Sequence, residues 1–207
     1  EAVIYAGLAS KEADAAAKAA LMQKANEKLA VVKAAKDDTL DWDSEFAKAS
    51  SGAAELQAKA DAGPSNDNIV ALKKQVAANK EDTTALFNLA MAYQEVSNWD
   101  GAALAWQKMN DLLPTWEPAY YSKGYALQQA GYKELAAVAF QKYIDVALTK
   151  TPAEQQALQE TLFGAYYSVA YLLHTTDKVK ANEALQKALA MKPNDKNSLL
   201  LQKELMK

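Results

Sequence analysis

The chain has 207 residues, half of them hydrophobic and 24% charged, so it can bury the core of one large domain or two small ones and is too apolar to be disordered. It has no Cys, a single His, and no Arg among its 23 basic residues, which excludes disulfides, thiolate metal sites and bidentate Arg clamps and makes a Ser–His triad improbable. A net charge of −3 gives no nucleic-acid footprint, and alanine at about a fifth of the chain, beside only seven Gly and five Pro, favours helix over a turn-rich β-protein.

No run of 18 apolar residues occurs, so no transmembrane helix is expected. The chain begins at Glu1 rather than Met. A removed leader is one source of such a start, and the reading leans to export, in a bacterial periplasm, with the cytoplasm as the other option. Before residue 81 the aromatics are Tyr5, Trp42 and Phe46 alone; the rest follow it. That shift suggests an Ala-rich helical segment over 1–80 and a second domain over 81–207. No Gly or Pro interrupts residues 8–51, so long helices are predicted there. Leu21, Ala25, Leu29 and Val32 share a stripe, and Asp37-Asp38-Thr39 is the expected break. A helix with Trp42, Phe46, Ala49, Ala53, Leu56 and Ala60 on one face follows. Gly63-Pro64-Ser65-Asn66-Asp67 reads as a loop, and Ile69, Leu72 and Val76 as the inner face of a short helix.

Beyond residue 81 the chain is periodic. Leu86-x-x-Leu89-Ala90-x-x-Tyr93 is followed by a Ser97-Asn98 break, then Trp99-x-x-Ala102-x-x-x-Trp106-x-x-Met109 and Pro114. A second unit starts at Glu117, with Tyr120, Gly124 and Leu127, Gly131 at the turn, and Ala136 and Phe140. It then departs from the pattern. About four extra residues lead to Thr151-Pro152-Ala153-Glu154, a capping box with Pro at the first helical position. The helix opened there is predicted to run to about Thr175. A third unit has Tyr166, Val169, Ala170 and Leu173, then Asp177 in a turn one residue short, then Ala181, Leu185, Ala188 and Pro193. Lys196 to Met206 reads as a capping helix with Leu199, Leu200 and Leu205 inward.

These units resemble the tetratricopeptide repeat (TPR), a 34-residue helix–turn–helix motif. Residues 83–116 match nearly throughout, with Met109 in place of the family's Ala. Lys123 stands where the family has Leu, and Tyr143 where it has Ala. Ala2-Val3-x-x-Ala6-Gly7 and Ile69-x-x-Leu72-x-x-x-Val76 resemble degenerate units more weakly. The resemblance implies an all-α fold, a right-handed α-solenoid of antiparallel helix pairs with a concave inner surface suited to gripping a protein or peptide.

Carried onto this sequence, the family's groove positions are Thr84, Phe87, Met91, Gln94 and Glu95 in the first unit. They are Pro118, Tyr121, Tyr125, Gln128 and Gln129 in the second, and Gly164, Tyr167, Tyr171, His174 and Thr175 in the third. Phe87, Met91, Tyr121, Tyr125, Tyr167 and Tyr171 would form an aromatic-rich stripe, since residues four apart share a helix face. Gln94 and Gln128 could bond a partner's backbone, and His174 would sit at the edge. A second reading has these rings packing on helices of the same chain. The Lys and Asn that hold a terminal carboxylate in the chaperone-binding class are missing from these positions.

Asp37, Asp38, Asp41, Asp43 and Glu45 lack the Gly and Glu spacing of a calcium loop and read as a solvated helix start. No phosphate-loop, dinucleotide or nucleophile-elbow motif occurs. The expectation is a non-catalytic scaffold for protein–protein interaction, with no cofactor, no metal and no nucleic-acid partner. The alternative is a structural subunit of a larger, envelope-associated complex or a homo-oligomer.

Overall fold

The computed structural model describes residues 55–206. The expectations for the stripes, break and acidic cluster before residue 55, and for Ala2 to Gly7, lie outside the described residues. The chain divides into two units, Glu1–Ala62 and Gly63–Lys207. Of the first, residues 55–62 are described and are helical.

In the second unit most helices begin at a side chain that satisfies an orphan backbone N–H, a contribution of ~1 kcal/mol each. α1 (Asp67–Ala78) follows Asn66, which accepts from the Ile69 N–H at 2.9 Å. α2 (Thr83–Glu95) follows Asp82, which accepts from Ala85, and α3 (Trp99–Leu112) follows Asn98, which accepts from Gly101, both at 2.9 Å. α4 (Glu117–Gln129) and α5 (Lys133–Leu148) lack a side-chain cap. α4 instead has Pro118 in its first turn, where a missing N–H costs nothing. α6 (Pro152–Ala157) opens on the expected capping box of Thr151 and Glu154. α7 (Gln159–Leu173) follows it. Asp177 caps α8 (Lys178–Met191), and Asp195 caps α9 (Lys196–Leu205). No strand occurs among the described residues.

Two of the interhelical turns are the same device. The Asn98 N–H donates to the Tyr93 carbonyl at 2.8 Å, and the Tyr132 N–H to that of Leu127 at 2.9 Å. The residue before each donor is left-handed: Ser97 at φ 58° and Gly131 at φ 88°. This is a Schellman-type helix end, which prefers glycine. The third turn closes one residue sooner, with the Asp177 N–H donating to the Leu173 carbonyl at 2.8 Å. It needs no left-handed residue, which accounts for its shorter length.

The helices pack in chain order: α1 on α2, α2 on α3, and so on, with α5 against α7 and α8 against α9. Ala90, Gly124 and Ala170 on the first helix of each pair, and Ala102, Ala136 and Ala181 on the second, are buried, as are Tyr93, Trp106, Tyr120 and Phe140. A Cβ on Gly124 would meet the Phe140 ring at 3.0 Å, so the α4–α5 approach requires the smallest residue there. Neighbouring units are tied by long-range polar contacts. The Tyr132 hydroxyl donates to Asp100 at 2.9 Å, and Asn98 Nδ2 to the Pro64 carbonyl at 3.0 Å. Lys150 pairs with the buried Glu117 at 2.9 Å, which holds the ammonium above its usual pKa. Lys192 pairs with Glu160 at 2.5 Å and lies over the Phe163 ring.

Two expectations are corrected. The helix predicted from Pro152 to Thr175 breaks at Leu158 and ends at Leu173. Gln155 Nε2 donates back to the carbonyls of Leu148 at 3.0 Å and Lys150 at 2.8 Å, so the first turn folds over the end of α5. Thr161 Oγ1 then donates to the Leu158 carbonyl and accepts from the Tyr143 hydroxyl at 2.5 Å. In α9, Leu199 and Leu200 are exposed, and Ser198 and Leu201 are the buried residues. Asp195 accepts from both the Ser198 N–H and hydroxyl at 2.8 Å. Ser198 is thereby fixed inward, and the helical period places Leu201 and Leu205 on its side.

Lys123 occupies an inner position of α4 and donates to Gln107 on α3. Burial pushes its amine down to about 8, partly opposed by Asp111. Asp111 is itself raised by burial and accepts from Gln107 at 2.7 Å. Lys123→Leu is expected to stabilise the fold by ~1–3 kcal/mol at pH 7, because Asp111 keeps access to solvent and to Lys108. Between about pH 8 and 10.4 the unfolded wild type binds the extra proton, so its stability rises with pH and the variant's advantage shrinks. Urea titrations at pH 7 and 10 measure this. Ser97→Gly relieves the left-handed strain and is expected to add ~0.5–1 kcal/mol in the same assay.

Candidate functional site

α2, α4 and α7 each turn one face to the core and leave another beside it in contact with solvent. In α2 the inner face is Leu86, Leu89, Ala90 and Tyr93, so Phe87 and Met91 stand outside it, each 40% exposed. In α4, Tyr125 is 43% exposed and Tyr121 half-buried; in α7, Tyr171 is 48% exposed and Tyr167 half-buried. Gln94, Gln128 and His174 are partly exposed, and none of the other expected groove positions is buried.

The rings are held from behind by other rings. Phe87 meets Trp106 edge-on at 5.5 Å and Trp116 at 6.4 Å. Tyr121 stands edge-on to Phe140 at 5.3 Å and to Tyr143 at 5.2 Å, and burial raises its hydroxyl pKa. Its hydroxyl lies against Gly164, where a Cβ would approach within 3.1 Å. That contact links α4 to α7. Tyr125 lies edge-on to Trp99 at 5.7 Å. Tyr167 stacks on Tyr171 at 6.2 Å and 18°, and Tyr171 on His174 at 5.7 Å and 23°. His174 Nδ1 donates to the Tyr171 carbonyl at 2.6 Å, which selects the Nδ1–H tautomer. Tyr121 is therefore partly a packing residue, whereas Phe87, Met91, Tyr125 and Tyr171 present open area.

The supporting tryptophans Trp99 and Trp116 were not singled out as groove residues in the sequence. Their positions, one at the start of the second helix and one at the end of the unit, carry no groove signal in the repeat pattern. Two buried polar groups have no hydrogen-bond partner among the described residues: the indole N–H of Trp106, whose ring meets Phe87, and the amide of Asn110. A different concavity, a cleft of about 900 Å³, opens between α5, α7 and α8. Val138, Leu148, Tyr166 and Leu173 line it, and its edge mixes Glu134, Asp145 and Glu183 with Lys142, Lys180 and Lys187. Among the described residues no group of three or more His, Asp or Glu could hold a metal, and no helix is long and apolar enough to cross a membrane.

Among solved structures, the chain is similar to the C-terminal part of a TPR repeat-containing protein from Cytophaga hutchinsonii. The two share 20% identity and a TM-score of 0.53, over 89% of this chain and 68% of that one. It is also similar to MamA, at 22% identity and a TM-score of 0.49, over 67% of this chain and 84% of that one. The first likeness shows the fold: an all-α solenoid of TPR-type helix pairs. No family model and no curated protein matches the sequence.

Asn110→Leu replaces an unpaired buried amide by an apolar group of similar volume. It is expected to raise stability by ~1–2 kcal/mol, read as a higher urea midpoint with an unchanged near-ultraviolet dichroism of the aromatic cluster.

Proposed function

We propose that this TPR-type solenoid is a non-catalytic scaffold that holds a segment of a protein partner across the outer faces of α2, α4 and α7. One observation carries the reading. Phe87, Met91, Tyr125 and Tyr171 keep 40–48% of their surface open at matching places on successive helices. Large side chains left half-open in a row are a recognition surface more often than a packing defect. Rings already held edge-on by Trp99 and Trp106 and at a tilt by Trp116 lose little freedom on binding, so more of the contact energy appears as affinity. The amides of Gln94 and Gln128 supply donors and acceptors for a partner's main chain. Residues 81–207 are the working domain in this reading, and residues 1–80 an accompanying helical segment.

A second reading, a structural subunit of a complex or homo-oligomer, draws on the opposite surface. There Leu135, Val138 and Leu148 on α5 and Val179 on α8 are exposed. Light scattering over a range of concentrations separates self-association from the scaffold reading.

The scaffold reading is tested by affinity capture from the source cell followed by mass spectrometry, comparing wild type with the Tyr125→Ala/Tyr171→Ala double variant. The variant is expected to lose the captured partner at least tenfold, with its helical circular dichroism intact, because both residues are half-exposed. Undiminished capture by a folded double variant removes the groove from consideration.

A further inference from the structure

The hydrogen-bonding groups of the α2, α4 and α7 face narrow the kind of segment that it can hold. The hydroxyls of Tyr125, Tyr167 and Tyr171 donate to no other group among the described residues. Neither do the indole N–H groups of Trp99 and Trp116, which are half-buried against Tyr125 and Phe87. A hydroxyl can donate or accept, whereas an indole N–H can only donate. Glu95 is the one fixed charge among the expected groove positions. With no ammonium there, nothing selects a carboxylate, and these neutral groups are the face's donors.

Three partner backbones meet such donors differently. The carbonyls of an α-helix are already bonded within the helix. A β-strand presents N–H and C=O groups in equal number, and an N–H facing an indole N–H is left unpaired. A proline-rich polyproline II segment presents carbonyls with no internal bonds and few N–H groups. Its backbone is the one that the indole donors match.

The shape of the face agrees. Trp99 and Tyr125 are 5.7 Å apart with planes at 86°, a right-angled corner of two rings, and Tyr125 keeps 43% of its surface open. Phe87 and Trp116, 6.4 Å apart at 56°, form a wider corner. A compact pyrrolidine ring touches both walls of such a corner at once. Its φ is already fixed near −65°, so little chain entropy is lost on docking.

We propose that the partner segment is proline-rich and uncharged, bound as a polyproline II helix with its rings in the Trp99–Tyr125 and Phe87–Trp116 corners and its carbonyls accepting from the indole and tyrosine donors. The inference rests on the groove reading above and adds the chemistry of the partner.

The probes are two blocked, uncharged 12-residue peptides of equal Leu content, one repeating Pro-Pro-Leu and the other Ser-Ala-Leu. They are titrated into the full chain by calorimetry at 50 and 300 mM salt. The Pro-Pro-Leu peptide is expected to bind about tenfold tighter than the Ser-Ala-Leu peptide. The gap should be the same at both salt concentrations, because no ion pair forms. Trp99→Phe and Tyr125→Phe each keep a ring and remove one donor. Each is expected to weaken Pro-Pro-Leu binding by about threefold to tenfold, with helical circular dichroism unchanged. Equal affinity of the two peptides overturns the proline inference. So does no binding of the Pro-Pro-Leu peptide, or undiminished binding of it by both Phe variants. The Tyr125→Ala/Tyr171→Ala variant keeps the two readings apart. If it abolishes binding of both peptides while they bind the wild type equally, the groove stands and the proline inference falls. If it changes neither, the groove reading itself fails.

Discussion

The close approach of the two helices within each pair is the constraint on which the rest of the molecule depends. Ala90, Gly124 and Ala170 give the first helix of each pair a flat inner surface, and Ala102, Ala136 and Ala181 do the same for the second. Rings fill what remains: Tyr93 and Trp106 in the first pair, Tyr120 and Phe140 in the second. A methyl group at Gly124 would already crowd Phe140. Dense packing of this kind leaves little tolerance for sliding, because a gap of half an ångström forfeits much of the dispersion energy. Each pair is therefore a stiff unit, and the left-handed turns at Ser97 and Gly131 hold its two helices at a fixed separation.

Stiff pairs stacked in sequence place equivalent residues in rows. The row made of Phe87, Met91, Tyr121, Tyr125, Tyr167 and Tyr171 follows from that repetition and not from any local device. What local chemistry adds is order within the row. Edge-to-face contacts with Trp99, Trp106, Phe140 and Tyr143 fix ring orientation, and the His174–Tyr171–Tyr167 stack fixes the row's far end. A surface arranged this way combines a hydrophobic area with little rotamer entropy left to lose.

The junction of the second and third units is where regularity is broken, and the breaks are connected. Tyr143 replaces a small residue, and its hydroxyl reaches Thr161 on α7. The extra residues form α6, whose Gln155 side chain covers the carbonyls at the end of α5. Lys150, in the same connection, neutralises the buried Glu117 at the start of α4. Lys123 is compensated less fully: it donates to Gln107, and Asp111 offsets only part of the cost of its burial. The second unit thus contains both a well-matched buried charge and a poorly matched one, which is why Lys123 and not Lys150 is the position where an apolar residue is expected to stabilise.

Much of the architecture was legible in the sequence because its signals are local. The Thr151–Glu154 capping box acts within three residues, and the breaks at Ser97-Asn98 and Asp177 are local as well. The left-handed turn and the small-residue positions recur at the repeat's own spacing in the first two units, and the inner face of Ile69, Leu72 and Val76 is set by helical period alone. The break at Leu158 and the exposure of Leu199 and Leu200 were not legible. The first depends on Gln155 and Thr161 finding partners on α5, and the second on Asp195 pulling Ser198 inward, with three adjacent leucines otherwise offering equivalent faces. The same division holds for the candidate site. The repeat spacing picked out Tyr125 and Tyr171 as candidates, and a composition with no Arg and one His turned the reading of that face towards aromatic area and amides. Only the tertiary structure decided that Tyr121 is half absorbed into packing and that Trp99 and Trp116 stand behind the row. Those outcomes depend on which helices lie side by side, a long-range consequence of packing that no spacing along one strand of sequence encodes.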